Sequence, residues 1–419
     1  MSEPGTAGTA ETRPAADVTT TRRPLAGRKV LIIVENLPLP FDRRVWQEAQ
    51  TLRDAGMTVS IICPKAKGYE AAYEELAGIH IYRHPLPLDA GSAFGYLLEY
   101  GAALFWETVL AWKILFKHGF DVIQGCNPPD LIFLVAWQFK LIGKKYIFDH
   151  HDINPELYEA KFGKRGLFWR LMVLFERLTF WSANVVICTN NSYREIALRR
   201  GRKSEADTFV VRSGPDLSRL ERRAPNTSLN NGRTYLIGYV GVMGDQEGID
   251  LLLEAARHIV HDLGRQDIQF RLVGGGPSLD KLKQLATEMA LDKYVTFTGR
   301  VPDDALFDLL STADVCVNPD RVNPMNDLST MNKILEYMAF SKAIVQFDVK
   351  EGRFSAGEAS LYARANDAVD LANNILALLA DPARADQMGK LGRSRVEKLF
   401  AWPHQVPILI SAYRRALGL

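Results

Sequence analysis

Lys333 and Glu336 stand three residues apart within residues 332–339, where apolar positions repeat at helical spacing. Both side chains are therefore expected on one helix face. A cation near a helix start, beside free main-chain amides, suits a diphosphate. A carboxylate one turn later can accept hydrogen bonds from both ribose hydroxyls. The pattern indicates a nucleotide-sugar site, and a solvated Lys/Glu pair on a helix surface is the competing explanation.

Short β-branched runs alternate with amphipathic segments from Lys29 onward. This alternation is typical of an α/β chain with doubly wound parallel sheets. The predicted strands lie near 29–34, 58–63, 78–83, 121–124, 145–149, 184–188 and 207–211, and then near 235–241, 268–273, 294–297, 314–317 and 343–347. The predicted helices of the first half lie near 43–55, 94–117, 129–142, 165–182 and 190–200. Two such Rossmann-like domains would turn the carboxyl ends of their strands toward one central cleft, where open α/β sheets bind ligands.

The chain is longer than one hydrophobic core usually spans, so two domains are expected. The turn formers and low apolar content of residues 213–233 indicate a linker. The predicted segments are a disordered tail over 1–27, a first Rossmann-like domain on the acceptor side over 28–212, the linker over 213–233, a second Rossmann-like domain that binds the nucleotide sugar over 234–400, and a helix over 401–419 that crosses back to the first domain.

Composition restricts the partners. Basic and acidic residues number 51 and 49, so no overall field indicates nucleic acid. The four cysteines show no metal spacing, and we interpret them as reduced core residues of a cytoplasmic protein without a metal or cofactor. The longest apolar stretch, residues 94–116, is interrupted by Glu99, Glu107 and Lys113, which argues against a spanning helix.

The loop after the first predicted strand begins the next helix near Asp42, Arg43 and Arg44. Asp42 is expected to cap that helix. The loop nevertheless lies at the carboxyl end of its strand, where Arg43 or Arg44 would add positive charge for a phosphate or an acceptor.

A second polar loop follows the strand at 145–148 and contains His150, His151 and Asp152. Adjacent histidines cannot point the same way, so at most one serves the site. A capping turn ahead of Pro155 is the competing explanation, although functional residues concentrate in loops at strand ends. We assign Asp42, Arg43 and Asp152 to an acceptor-side loop cluster.

The glycine turn at 274–276 is weak evidence for phosphate binding, because close packing alone can require it. It lacks both the Walker lysine and the dinucleotide fingerprint. Basic residues beside large aromatics in 162–177, and the aromatic-rich 94–117 segment, predict a surface for anionic membranes. Core helices with a solvated basic face are the competing explanation.

The order of these motifs resembles the retaining family 4 glycosyltransferases of the GT-B type, over nearly all of residues 28–417. The motifs that carry the resemblance are residues 332–339, 273–277, 298–301, 211–216 and the His151-Asp152 turn. The resemblance implies transfer of a sugar from a nucleotide diphosphate to an acceptor, with retention and without a metal.

The same resemblance implies the site residues. His151 would contact the transferred sugar or phosphate, Lys333 the diphosphate and Glu336 the ribose, and these three are the predicted catalytic residues. The predicted donor-binding residues are Gly241, Gly244, Arg300, Ser329, Thr330, Asn332, Lys333 and Glu336.

The sequence departs from the family pattern at three places. Val242 and Glu247 stand where the family usually has Arg and Lys, and Leu328 replaces the glutamate eight residues before Glu336. These departures resemble a bacterial exopolysaccharide-type branch.

The leading hypothesis is a peripheral enzyme at the inner face of the plasma membrane. It would glycosylate a lipid-linked or polysaccharide acceptor in surface polysaccharide synthesis. A nucleotide-sugar 2-epimerase and a non-catalytic sugar-nucleotide sensor are the alternatives.

Overall fold

The computed structural model describes residues 23–86 and 93–419, which form two α/β units, each built on its own sheet. This arrangement confirms the fold class that the alternating pattern predicts.

The first sheet has the strand order β3-β4-β2-β1-β5-β6-β7-β8. Its strands are β1 Lys29–Val34, β2 Thr58–Pro64, β3 Tyr73–Leu76, β4 Ile79–His84, β5 Val122–Cys126, β6 Lys145–His150, β7 Val185–Cys188 and β8 Thr208–Val210. Neighbouring strands are parallel except at the edge, where β3 pairs antiparallel with β4. The sequence analysis missed β3 because its residues are mostly polar and exposed.

The helices of the first unit cover both faces of that sheet. They are α1 Arg43–Asp54, α2 Ala93–Lys117, α3 Phe133–Lys140, α4 Asn154–Phe162, α5 Leu167–Ser182 and α6 Asn191–Arg199. Alternate residues of β1 separate the two layers, because Leu31 and Ile33 pack with α2 while Val30 and Ile32 pack toward α1. No helix within the described residues is long and apolar enough to cross a bilayer.

The second sheet is parallel, with the strand order β11-β10-β9-β12-β13-β14. Its strands are β9 Tyr235–Val240, β10 Ile268–Val273, β11 Val295–Gly299, β12 Val315–Asn318, β13 Ala343–Phe347 and β14 Ser360–Ala363. Its helices are α7 Ile249–Arg257, α8 Leu279–Glu288, α9 Asp303–Thr312, α10 Pro324–Leu328, α11 Asn332–Ala339, α12 Lys350–Ala356, α13 Ala368–Ala380 and α14 Pro382–Arg395.

The last helix, α15 Trp402–Leu417, packs against β6, β7, β8 and α1 of the first unit. Its apolar side chains join the first core, and the indole of Trp402 donates a hydrogen bond to Thr51 Oγ1 at 2.9 Å. Tyr413 donates to the buried Gln124. The end of the chain is therefore fixed to the first sheet.

The tail predicted over residues 1–27 is too long at its end. Leu25 is only 1% exposed, and its main-chain N–H donates to Ala55 O at 3.0 Å. Leu25 fills a space beside α1. The mostly polar composition of residues 1–27 does not indicate that one apolar residue among them is buried. Residues 1–22 of that prediction lie outside the described residues.

Candidate active site

Asp42 and Arg43 stand at the start of α1, on the cleft side of the first unit. The Asp42 carboxylate accepts from the N–H of Val45 at 3.1 Å, which confirms the capping role. Arg43 extends toward the second unit. Its Nη2 lies 2.6 Å from Asp303 Oδ1, and its Nη1 lies 3.7 Å from Glu336 Oε1. The acceptor-side loop and the predicted donor helix therefore meet in this structure.

Arg44 points into the first unit and does not face the cleft. Its guanidinium lies 3.0 Å from Asp149 Oδ1 and 3.1 Å from Glu48 Oε1, and it donates to Val211 O at 2.8 Å. It also donates to Ser213 Oγ at 3.1 Å, which joins α1 to the start of the predicted linker. Because these partners hold the guanidinium inside the first unit, Arg43 is the arginine that remains for the cleft.

His151 lies at the end of β6 with its Nε2 2.7 Å from Asp149 Oδ2. Arg44 Nε is 2.8 Å from the same ring nitrogen. A ring nitrogen cannot donate and accept at once, and we assign its proton to the bond with Asp149. Burial lowers the pKa of His151, but the Asp149 carboxylate outweighs it, so the pKa is raised overall. The imidazole is thus prepared to carry positive charge.

Asn127 fixes the main chain around His151 and Asp152. Its Oδ1 accepts from their N–H groups at 2.7 and 3.1 Å, and its Nδ2 donates to Asp152 O at 2.7 Å. Asn127 immediately follows β5, so an adjacent strand end orients the loop. Burial raises the pKa of Asp152.

Cys126, Asp149 and His151 bring three possible metal-ligand atoms within 4.8 Å of one another. The Arg44 guanidinium already donates to Asp149 at 3.0 Å beside this group. A fixed positive charge at that distance disfavours a second cation. The donor set therefore fits an internal ion-pair cluster better than a metal centre.

Gly241 and Gly244 lie in the loop after β9, which packs closely on the glycine turn after β10. A Cβ at Gly274 would lie 1.7 Å from Gly241 O, and one at Gly276 would lie 2.6 Å from Met243 O. The glycines of residues 274–276 thus serve close packing between the two loops. Gly244 has open space at its Cβ position and lines a cavity of about 160 Å³ with Asp245, Ser278 and Arg321, among others.

Lys333, in the first turn of α11, is buried in an ion-pair cluster. Its Nζ lies 2.6 Å from Glu247 Oε2 and 2.8 Å from Asp320 Oδ1. Burial raises the pKa of Asp320; Lys333 lowers it and Glu247 raises it, with the result near 7. The pKa of Lys333 is raised well above its usual value, because Asp320 and its other partners outweigh burial.

Glu336 lies one turn after Lys333 and keeps a 24% exposed side chain on the cleft. Burial raises its pKa, whereas Arg43 lowers it. Its ion pair with Arg43 is longer than those of Lys333, at 3.7 Å between Oε1 and Arg43 Nη1. Its carboxylate is therefore available to hydrogen-bond a ligand.

Ser329, Thr330 and Asn332 lead into α11. Tyr193 OH lies 3.0 Å from Ser329 Oγ, and Asn190 Nδ2 donates to Thr330 Oγ1 at 3.1 Å. The first two residues therefore join the second unit to α6 of the first, whereas Asn332 is exposed.

Arg300, after β11, stands over the ring of Phe41, with its Cζ 5.3 Å from the ring centroid. Phe41 precedes the Asp42 cap, so Arg300 also borders the acceptor-side loop. Arg300 and Glu336 of the predicted donor group thus lie close to the acceptor-side loop.

Sequence reasoning did not identify Asp320, Asn190 or Tyr193. Asp320 follows β12, Asn190 caps the start of α6 and Tyr193 lies in α6, so each reaches the site only through tertiary packing. The sequence did contain one sign of the ion-pair cluster. Glu247 stands where the family resemblance implies a cation, and this carboxylate is one of the partners of Lys333.

Comparisons with known proteins identify the class. Residues 42–219 match Glycosyltransferase Family 4, and residues 234–381 match Glycosyl transferases group 1. The chain belongs to the family 4 glycosyltransferases of the GT-B type, and it is a glycosyltransferase enzyme.

The individual similarities are distant. The chain is 25% identical over 306 residues to the alpha-maltose-1-phosphate synthase of Mycolicibacterium smegmatis, covering 66% of this chain and 74% of that protein. Sucrose-phosphate synthase from Thermosynechococcus elongatus superposes with a TM-score of 0.78 at 23% identity, covering 93% and 99%. The Anabaena protein HepE in complex with UDP-glucose gives a TM-score of 0.68 at 16% identity, covering 93% and 100%.

Proposed function

We propose that this enzyme transfers a sugar, with retention and without a metal, from a nucleotide-diphosphate sugar to a lipid-linked or polysaccharide acceptor in surface polysaccharide synthesis. The position of Glu336 carries this proposal. A partly exposed carboxylate stands at the carboxyl edge of the second sheet, in the cleft that Arg43 crosses. Glu336 accepts hydrogen bonds from the ribose of the donor.

The diphosphate lies beside the start of α11 in this proposal. Main-chain N–H groups at a helix start attract anions. Lys333 contributes less free charge than the sequence suggests, because Glu247 and Asp320 already hold it. Its role includes fixing the first turn of α11, while Arg300 and a protonated His151 supply further positive charge to the diphosphate.

The transfer proceeds by front-side attack. The acceptor hydroxyl oxygen forms a bond to the anomeric carbon on the face from which the diphosphate leaves. The bond from that carbon to the diphosphate oxygen breaks, and this oxygen takes the hydroxyl proton. The protein stabilises the developing charge and holds both substrates in position.

A donor panel beginning with UDP-glucose tests the reaction, because the HepE neighbour was solved with that molecule. Purified protein is mixed with each nucleotide sugar, with and without a glycan acceptor, and free nucleoside diphosphate is measured. Release that depends on acceptor supports transfer, and NMR of the product's anomeric configuration tests retention. An isomerised donor would favour a 2-epimerase, and binding without turnover would favour a sensor.

We also propose that the first unit docks on the inner face of the plasma membrane. Exposed apolar side chains continue from α2 across α3 to α5, which pack on one another in that order. They are Phe105, Trp106, Val109, Phe116, Leu134, Trp137, Leu141, Ile142, Leu167, Phe168, Leu171, Leu174 and Trp181. Lys164, Arg165 and Arg170 are exposed at the start of α5, and such a combination of apolar and basic groups suits anionic lipid.

Replacing Lys164, Arg165 and Arg170 together by glutamine is expected to move the protein from anionic vesicles to the supernatant. Each cation near an anionic surface contributes about 1 kcal/mol to binding. Liposome co-sedimentation at low and high salt measures the shift.

The matched control replaces three exposed lysines of the second unit, Lys283, Lys293 and Lys398, by glutamine. This variant keeps the same net charge as the first but should sediment like the wild type. Equal losses of vesicle binding in both variants would contradict a membrane-docking surface. A wild type that stays in the supernatant at low salt would contradict it as well.

A further inference from the structure

Glu35 is a buried carboxylate at the carboxyl edge of the first sheet. Leu31 and Ile33 of β1 pack into one core with Ala111 and Ile114 of α2. Glu35 is the first residue after β1, and Glu107 of α2 lies near enough to act on its charge. Glu35 is 4% exposed.

Glu107 approaches this position from α2. Ala103, Glu107, Ala111 and Ile114 recur at helical spacing and are all 0% exposed, so they form the buried stripe of the helix. The chain leaves α2 and then enters β5, so α2 runs toward the amino edge of the sheet. Glu107 is therefore one turn nearer the carboxyl edge than Ala111, beside Glu35. Glu99, two turns earlier, is partly exposed.

Several polar atoms of these buried groups have no hydrogen-bond partner within the part of the chain that the structure describes. Neither carboxylate oxygen of Glu107 has one, nor does Oε2 of Glu35. His84, the last residue of β4, lies on the same face as Tyr82, and its Nε2 is also without a partner at 1% exposure. Unpaired buried polar groups are costly, so they point to a ligand or water that completes them.

The charges reinforce this geometry. Burial, followed by the repulsion of Glu107 and Glu99, raises the pKa of Glu35 to about 9. Burial raises the pKa of Glu107 to about 8. No described cation is among the groups that offset these two shifts. A bound cation with N–H groups would offset the repulsion between the carboxylates and would also donate to their unpaired oxygens. A neutral hydroxyl could donate to these oxygens but would not offset the repulsion.

We infer that Glu35, Glu99 and Glu107 form an acceptor subsite for an ammonium group, such as the free amine of an amino sugar. Glu99 stands at the entrance, with Glu35 and the deeper Glu107 below it. Charge-assisted hydrogen bonds from the ammonium would complete the empty carboxylate positions. The three are not among the side chains whose ligand atoms gather within 4.8 Å, which disfavours a single metal ion. This inference rests on the proposed transferase function, because it assigns part of the acceptor.

Saturation-transfer NMR with glucosamine, N-acetylglucosamine and glucose at equal concentration tests the subsite on the full chain. These probes differ at one position, as amine, acetamide or hydroxyl. The wild type should favour glucosamine about tenfold, as one charge-assisted contact allows. Glu35→Gln and Glu107→Gln should abolish the preference, while Glu195→Gln, which changes an exposed carboxylate on α6, should retain it. No preference in the wild type, or an unchanged preference in folded Glu107→Gln, would overturn the subsite.

Donor binding separates this inference from the transferase proposal. Thermal shift with the nucleotide-sugar panel should give the same response for Glu107→Gln and the wild type, because Glu107 lies outside the donor half of the cleft. Donor binding without an amine preference overturns only the subsite. An amine preference that survives in Glu107→Gln also overturns it, and absence of any donor response counts against the transferase proposal itself.

Discussion

Lys333→Met is expected to lower the free energy of unfolding by about 3–5 kcal/mol, since removing one partner of a buried ion pair leaves the other charge uncompensated. Lys333 is 9% exposed, and both Glu247 and Asp320 depend on its ammonium. Urea unfolding followed by fluorescence measures the change. Turnover should fall as well, because the first turn of α11 forms the diphosphate side of the proposed site.

The double variant Lys333→Met/Asp320→Asn separates stability from catalysis. Removing the more deeply buried carboxylate should restore most of the lost stability, because the remaining Glu247 keeps 24% exposure. If turnover stays low in this double variant although its stability is restored, the ammonium acts on the diphosphate. Wild-type stability in Lys333→Met would contradict the ion-pair cluster, and wild-type turnover in either variant would exclude a catalytic role.

Arg44→Met is expected to be similarly severe, at about 3–5 kcal/mol, because it leaves Asp149 and Glu48 in the core without their cation. Burial raises the pKa of Glu48 to about 8 even with Arg44 present, although Arg44 itself lowers it. The variant should also release His151, whose orientation depends on Asp149. Urea unfolding measures the first effect, and the histidine pKa by NMR measures the second.

The matched control for that variant is Arg199→Met. Arg199 pairs with Glu195 on the surface of α6, where its side chain is 80% exposed. Exposed pairs contribute about 0–1 kcal/mol. Comparable losses of unfolding free energy in Arg44→Met and Arg199→Met would contradict the assignment of Arg44 as the cation that stabilises the buried Asp149 and Glu48.

Much of the fold is predictable from the sequence because parallel strands are buried on both faces and form continuous apolar runs. The runs at residues 29–34 and 268–273 have the same bounds in the structure. Two strands were missed, β3 and β14, and both lie at sheet edges with few buried apolar residues. Helix α4 was missed because its apolar residues show no helical pattern.

The site was only partly predictable. Local helical spacing predicts that Glu336 and Lys333 lie one turn apart on a single helix, and α11 has the expected bounds. The partners of Lys333 follow two different strands, β9 and β12, so no local pattern joins them. For the same reason the sequence could not distinguish Arg43, which crosses the cleft, from Arg44, which its neighbours bury.

Calorimetric titration of the donor into Glu336→Ala tests the central claim, that α11 binds the ribose of a nucleotide sugar. With the nucleotide sugar that the panel identifies, the folded variant should bind about 1.5–3 kcal/mol more weakly than the wild type, the cost of losing hydrogen bonds to a charged group. Glu254→Ala, an exposed position on α7, should bind like the wild type. Wild-type donor affinity in folded Glu336→Ala would contradict the assignment of α11 as the donor helix.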